Sequence, residues 1–173
     1  MSASTFQNFA YGSNMLSARL HAPERCPSAR PLSVAELSGY ELCWHKKSRD
    51  GSGKCDIVKS DGPGASVFGV LFEIACREKI ALDSAEGLGA GCDETQVQVA
   101  SGGDHLTVNA CVATTTDPTL KPYTWYRAFV VAGAKQHGLP ADYITRLEAA
   151  PADQDPDQKR YDKNTALIGE MRV

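Results

Sequence analysis

Hydrophobic and polar positions along the chain fall into short alternating runs for about two thirds of its length, then take a helical spacing. Thr5 to Ala10 is a β-type run that leads into Tyr11-Gly12-Ser13-Asn14. Asn14 is placed to cap a brief helix through Leu20, with Met15, Leu16 and Leu20 inward. Pro23, Pro27 and Pro31 break up the next stretch, and extended segments are expected at Leu32–Glu36 and Tyr40–Trp44. The stretch His45 to Lys54, HKKSRDGSGK, is polar, basic and glycine-rich and reads as a loop before a strand at Cys55–Lys59. After the turn Asp61-Gly62-Pro63-Gly64, Val67–Ile74 is a strongly apolar strand. Cys76–Ser84 has helical composition and is closed by Glu86-Gly87. Thr95–Val99 and His105–Thr114 alternate, the latter with Leu106, Val108, Ala110 and Val112 on one face.

In the last third, Pro122 suits the first turn of a helix and Gly138 its end, with Tyr126, Phe129, Val130 and Gly133 on one side. Pro140 opens a second helix through Leu147, and Pro151 closes it. Six or seven strands in mostly local order, with helices inserted and appended, imply an α+β fold with a mainly antiparallel or barrel-like sheet. The expected organisation is one domain over 1–151 and a polar tail over 152–173, where apolar residues are sparse and Pro156 intervenes.

Composition narrows the picture without changing it. The chain has 173 residues, 42% hydrophobic and 23% charged, as in a single soluble globular domain that needs no disulfide or metal staple. A net charge of -3 gives no overall pull toward nucleic acid or anionic lipid. Met1 to Gln7 lacks the basic-then-apolar layout of a signal peptide, and no apolar run approaches a membrane span. The six cysteines are scattered singly, with no CxxC pair and no histidine at metal-ligand spacing. Reduced thiols in a cytoplasmic protein fit that pattern, although an even count also permits disulfides.

Candidate chemistry is sparse. A strand ending in Tyr11-Gly12-Ser13-Asn14 can turn its backbone N–H groups into one concavity and attract an anion. It can equally be a plain strand-to-helix turn in which glycine supplies positive φ. Glu86 before Gly87, just past a helix, is either a solvated acid or a carboxyl aimed into a cleft, where desolvation would raise its pKa toward proton-transfer range. HKKSRDGSGK lacks the GxxxxGK[ST] order of a phosphate-binding loop; it reads as a hairpin tip that could rim a pocket. There is no GxSxG elbow, and none of the four histidines has a partner implied by spacing.

FAYGSNM, VFGVLFEI, LDSAEG and GAKQHGLP occur in the order seen in γ-glutamylcyclotransferases. Over roughly Phe9 to Leu147 the sequence resembles that family. The resemblance implies a small mixed barrel with helices packed at its ends, no metal and no cofactor. It implies that Tyr11, Gly12, Ser13 and Asn14 form the substrate loop, that Glu86 is the general acid/base, and that Tyr126 stands near the pocket. Relatives place a tyrosine after the glycine-containing turn that follows the glutamate; here Gly91-Cys92-Asp93-Glu94 has no aromatic. The implied reaction is attack of a γ-glutamyl α-amine on its own γ-carbonyl, giving 5-oxoproline and releasing the attached amine. The implied partner is a small γ-glutamyl compound, with no nucleic acid or membrane, and a homodimer is left open. Removal of a γ-glutamyl protecting group from a larger metabolite and a non-catalytic γ-glutamyl-binding domain stay as alternatives.

Overall fold

The computed structural model describes residues 4–169; Met1 to Ala3 and 170–173, the ends of the expected polar start and polar tail, lie outside the described residues. The strands are β1 Thr5–Ala10, β2 Arg30–Ser38, β3 Tyr40–Lys47, β4 Gly53–Lys59, β5 Ser66–Ala75, β6 Cys92–Ser101 and β7 Asp104–Ala113. Five of them close a barrel in the order β1-β5-β2-β6-β7. Every pairing in it is antiparallel except the closure, where β1 meets β7 in parallel at Asn8 and Asn109. β3 and β4 make a separate hairpin that leans on β5 and β7. This is the α+β, mainly antiparallel barrel that the strand pattern implies. Several strands are longer than expected: β2 starts at Arg30 and β6 at Cys92, while β3 runs through His45–Lys47 and β4 begins at Gly53, so only the middle of HKKSRDGSGK is loop.

β5 is apolar without a break from Val67 to Phe72 because both of its faces are covered there. Phe68 and Phe72 meet Tyr143 and His137 of the helical layer at ring centroid distances of 5.3 and 5.7 Å. Val67 and Leu71, on the other face by the two-residue period, are also buried. The helices are α1 Ser17–Leu20, α2 Lys79–Glu86, α3 Thr124–Gln136, α4 Ala141–Ala149 and α5 Gln158–Gly169. Among the described residues no helix is long and apolar enough to cross a membrane.

Helix α3 positions the site. It buries Trp125, Tyr126, Phe129, Val130, Gly133 and Ala134, the helical spacing read from the sequence. A Cβ on Gly133 would lie 2.6 Å from the Leu16 amide nitrogen, so only glycine lets α3 sit against the backbone that follows Asn14. His137 Nε2–H then donates to the Met15 carbonyl at 2.9 Å, and Gln136 Oε1 accepts from the Ser17 amide at 3.0 Å. Three contacts from one helix fix the loop's downstream end.

The 152–169 segment is tied to the same helix. The Thr124 amide donates to the Asp153 carbonyl, and the Asp153 amide to Pro122. Asp155, 3% exposed, accepts the Trp125 indole N–H at 2.7 Å and two bonds from Arg160 at 2.7 and 2.6 Å. α5 comes next, with no buried residue and with Tyr161, Leu167 and Ile168 partly covered against the core.

Candidate active site

A cavity of about 360 Å³ opens between the Tyr11–Asn14 loop, the C-terminal end of α2, the β3–β4 hairpin and the start of α3. Tyr11, Gly12, Ser13, Asn14, Glu86 and Tyr126 all line it. The six positions singled out from the sequence therefore face one space. Their local geometry differs from expectation in two respects.

Asn14 caps no helix. Ser13–Met15 is a single 3-10 turn, Leu16 is extended, and α1 is only four residues long, so no continuous helix begins at Asn14. Its amide side chain is used across the cavity instead: Nδ2 donates to Glu86 Oε1 at 3.1 Å, and Oδ1 accepts from Arg25 Nη1 at 3.1 Å. Gly12 does not need positive φ; its φ is -114°. Its surroundings are crowded instead: a Cβ there would come within 3.2 Å of both Cys55 Cβ and Tyr126 Oη, so a side chain fits only if those neighbours give by a few tenths of an ångström. Among the described residues the amides of Gly12, Ser13 and Asn14 donate to no protein acceptor, and the three residues line the cavity.

Glu86 is the last residue of α2, and Gly87 stops the helix in the left-handed region at φ 77°. That stop turns the carboxyl into the cavity rather than along the helix. Burial pushes the Glu86 carboxyl above its ordinary pKa; Lys46, the Asn14 hydrogen bond and Arg25 pull the other way, and burial prevails. Lys46 approaches from β3, its Nζ donating to the Glu86 carbonyl at 2.7 Å. Desolvation holds the Lys46 ammonium below its ordinary pKa.

Two arginines join the site without any motif to mark them. Arg19 donates through Nε to Ser13 Oγ at 3.0 Å and lies 5.0 Å over the Phe129 ring. Burial, then the neighbouring Arg25, brings its pKa down to about 10. Arg25, also lowered by burial, holds Asn14. Among the described residues neither lies within ion-pairing distance of a carboxylate. Both belong to the short helix and turns after the loop, and only the fold shows which way they point.

The hairpin supplies the rim. Lys46, Lys47, Ser48, Arg49, Asp50 and Lys54 all line the cavity, so the basic run read as a hairpin tip does border a pocket. Lys54 pairs with Asp50 at 2.7 Å and lies 4.5 Å from the Tyr126 ring centroid. Tyr126 Oη accepts the Cys55 amide at 3.2 Å, and burial raises its pKa. The Tyr11 hydroxyl donates to the Cys111 carbonyl of β7, and its pKa is likewise raised by burial.

Where the sequence lacks an aromatic after the Glu86 turn, the structure has a cysteine pair. Cys92 and Cys111 are joined as a disulfide, with Cα atoms 5.8 Å apart, so the expectation of reduced thiols fails for these two. The reason is the β6–β7 register, which sets Glu94 opposite Cys111 and brings Cys92 onto the neighbouring diagonal. The ligand atoms of Glu86, Cys92 and Cys111 lie within 4.8 Å of one another, but a disulfide offers no thiolate to a metal. Cys26, Cys43, Cys55 and Cys76 are free.

Comparisons with known proteins agree with this arrangement. Residues 66–147 match the AIG2-like family. The chain is 32% identical over 158 residues to the gamma-glutamylcyclotransferase of Homo sapiens, covering 84% of this chain and 78% of that protein. The mouse (Mus musculus) gamma-glutamylcyclotransferase is similar at 32% over 152 residues, with the same coverage. A solved gamma-glutamyl cyclotransferase superposes with a TM-score of 0.81 at 28% identity, covering 94% of this chain and 99% of the other.

Proposed function

We propose, for a chain that belongs to the γ-glutamylcyclotransferase family and is an enzyme of that type, that Glu86 is the acid/base of a cyclisation releasing 5-oxoproline. One observation carries the assignment: a carboxyl raised by burial faces the Tyr11–Asn14 loop across the cavity, 3.1 Å from Asn14. The substrate's α-carboxylate would lie against the amides of Gly12, Ser13 and Asn14, with Arg19 and Arg25 behind them. Those arginines support the reading because half-buried cations that, among the described residues, have no carboxylate partner are stabilised when an anion arrives.

In that pose the α-ammonium is presented to Glu86, which takes one of its protons. The freed amine attacks the γ-carbonyl of the same residue and closes a five-membered lactam. Glu86 gives its proton to the departing nitrogen, takes the second proton from the new ring nitrogen, and passes it to the released amine. The reaction is intramolecular, so holding the substrate folded is the larger part of the task, and orientation of this kind can supply roughly 7–11 kcal/mol. Proton transfer by a positioned carboxyl adds about 10²–10⁴-fold. A raised carboxyl pKa suits both directions of transfer near neutral pH.

The leaving group would face the hairpin rim, where Lys47 and Arg49 add positive charge beyond the Lys54–Asp50 pair. That favours a γ-glutamyl amino acid, whose own carboxylate meets the rim, over a γ-glutamyl amine. The four free cysteines fit a cytoplasmic setting. To test the reading, 5-oxoproline is measured after incubation with γ-glutamyl-alanine, γ-glutamyl-lysine and glutathione, alongside Glu86→Gln. Release from at least one substrate, abolished by the substitution, is expected. Turnover that survives Glu86→Gln removes Glu86 from the mechanism, and binding without product from any substrate favours a binding module.

A further inference from the structure

We infer that Cys92 and Cys111 are a redox-modified pair that exchanges with small disulfides entering the cavity, and that its state tunes the activity of Glu86. The second half rests on Glu86 being the acid/base of the cyclisation.

Placement is the first support. Cys92 opens β6 directly after the Gly87–Gly91 turn that follows Glu86, and Cys111 lies on β7. Their Cα separation of 5.8 Å falls where a disulfide forms and breaks without moving backbone. Neither partner staples the fold, because the β6–β7 ladder already pairs Cys92 with Ala113 and Glu94 with Cys111. Access is the second support. Cys92 is fully buried, whereas Cys111 is partly exposed and lines the cavity. The third is charge. Lys46 Nζ lies 3.3 Å from Cys111 Sγ, and a cation at that distance favours the thiolate, the nucleophilic form, in the reduced protein.

These features set an order of events. The Cys111 thiolate attacks one sulfur of a low-molecular-weight disulfide, RSSR; the S–S bond breaks and one thiolate RS⁻ leaves, giving a mixed disulfide on Cys111. The Cys92 thiolate then attacks Cys111 Sγ, and the second RS⁻ leaves. The protein dithiol is oxidised by two electrons, and RSSR is reduced to two thiols that take up the two protein protons.

Oxidation alters the charge beside Glu86. Its carboxyl faces Lys46 from β3, Arg25 from the stretch after α1, Asp83 on its own helix and Tyr11 on the loop. The disulfide is neutral, which leaves the Lys46 charge directed at Glu86. On reduction, a Cys111 thiolate within 4.8 Å of the carboxyl repels it and competes for Lys46. The reduced enzyme therefore keeps Glu86 protonated to higher pH, and the acidic limb of kcat/KM moves upward by about one pH unit.

The test equilibrates the full chain with bis(2-hydroxyethyl) disulfide or with dithiothreitol, then alkylates, digests and maps the cysteines by mass spectrometry. A Cys92–Cys111 cross-link is expected in the first sample and two alkylated thiols in the second. In Cys92→Ser the exchange should stop at a mixed disulfide on Cys111; in Cys111→Ser, Cys92 should stay unmodified. Free thiols at both positions under the disulfide, or a mixed disulfide built on Cys92 first, overturns the inference. So does an acidic limb at the same pH for both forms of the wild type while both release 5-oxoproline, an outcome that leaves the role of Glu86 standing. If neither form releases 5-oxoproline, the role of Glu86 fails, and the mapping still decides the pair.

Discussion

Two groups of charged side chains flank Trp125 and are built on opposite terms. On one side Asp155 accepts the indole N–H and two guanidinium bonds from Arg160, and its carboxyl is held down to a pKa of about 2, chiefly by Arg160. On the other side lies the cavity that Trp125 also lines, where Arg19 and Arg25 have no carboxylate partner among the described residues and Glu86 sits above its ordinary pKa. The first group is electrostatically complete and fastens the 152–169 segment to α3. The second is incomplete, an arrangement that persists in a folded protein where the missing partner is a ligand. Satisfied charge here marks structure, and unsatisfied charge marks recognition.

Substitutions can break or sharpen that contrast. The largest effect is expected for Glu86→Gln, which should lower kcat/KM by about 10²–10⁴-fold while thermal unfolding shows no loss of stability. Asp155→Asn should do the reverse. Urea unfolding should show a loss of about 2–3 kcal/mol from the charge-assisted bonds, with kinetic constants within about twofold of the wild type. Arg25→Met should raise KM about tenfold by removing one charged contact to substrate, and leave stability equal or higher because a half-buried charge without an ion-pair partner among the described residues is gone. A fall in stability as large as that of Asp155→Asn would place Arg25 among the structural charges.

The smallest effect is in pH dependence, and the two carboxyls should act with opposite sign. Asp155 has a depressed folded pKa, so its contribution is present above the unfolded value near 3.9 and is lost as pH falls toward about 2. Glu86 has a raised folded pKa, so between its unfolded and folded values the folded state binds the extra proton and stability declines as pH rises. Comparing unfolding free energies of wild type, Asp155→Asn and Glu86→Gln across pH should separate the two: Asp155→Asn flattens the acid side, and Glu86→Gln removes the decline above the ordinary carboxylate range.

Local signals made part of this legible from sequence. The strand before Tyr11, the helix stopped by Gly87 and the amphipathic face of α3 are each set by residues within a few positions of one another. The loop and Glu86 could be joined only through the order of motifs along the chain, and the structure brings them together at Asn14. The features that stayed hidden depend on distant partners. Asn14 reads as a cap until the chain after it proves too irregular to need one, and Gly12 reads as a turn glycine until Cys55 and Tyr126 crowd it. The sequence from Gln158 to Gly169 has no buried face to reveal a helix, because α5 is secured ahead of its first turn by Asp155. Cys92 and Cys111 are scattered singles until a strand register sets them side by side.

The barrel closes through a single parallel meeting of its first strand with its last, and Tyr11 bonds to Cys111 across 100 positions of sequence. During synthesis, then, the Tyr11–Asn14 loop emerges before the segments that contact it. Its partners arrive in turn from the hairpin, from Glu86, from β7 and last from α3, whose Gly133 must reach the backbone at Leu16 before the loop has a fixed shape. Two of the cavity's walls, Trp125 and Tyr126, belong to that same late helix, so the cavity takes its full lining only once the C-terminal third has folded back onto the loop.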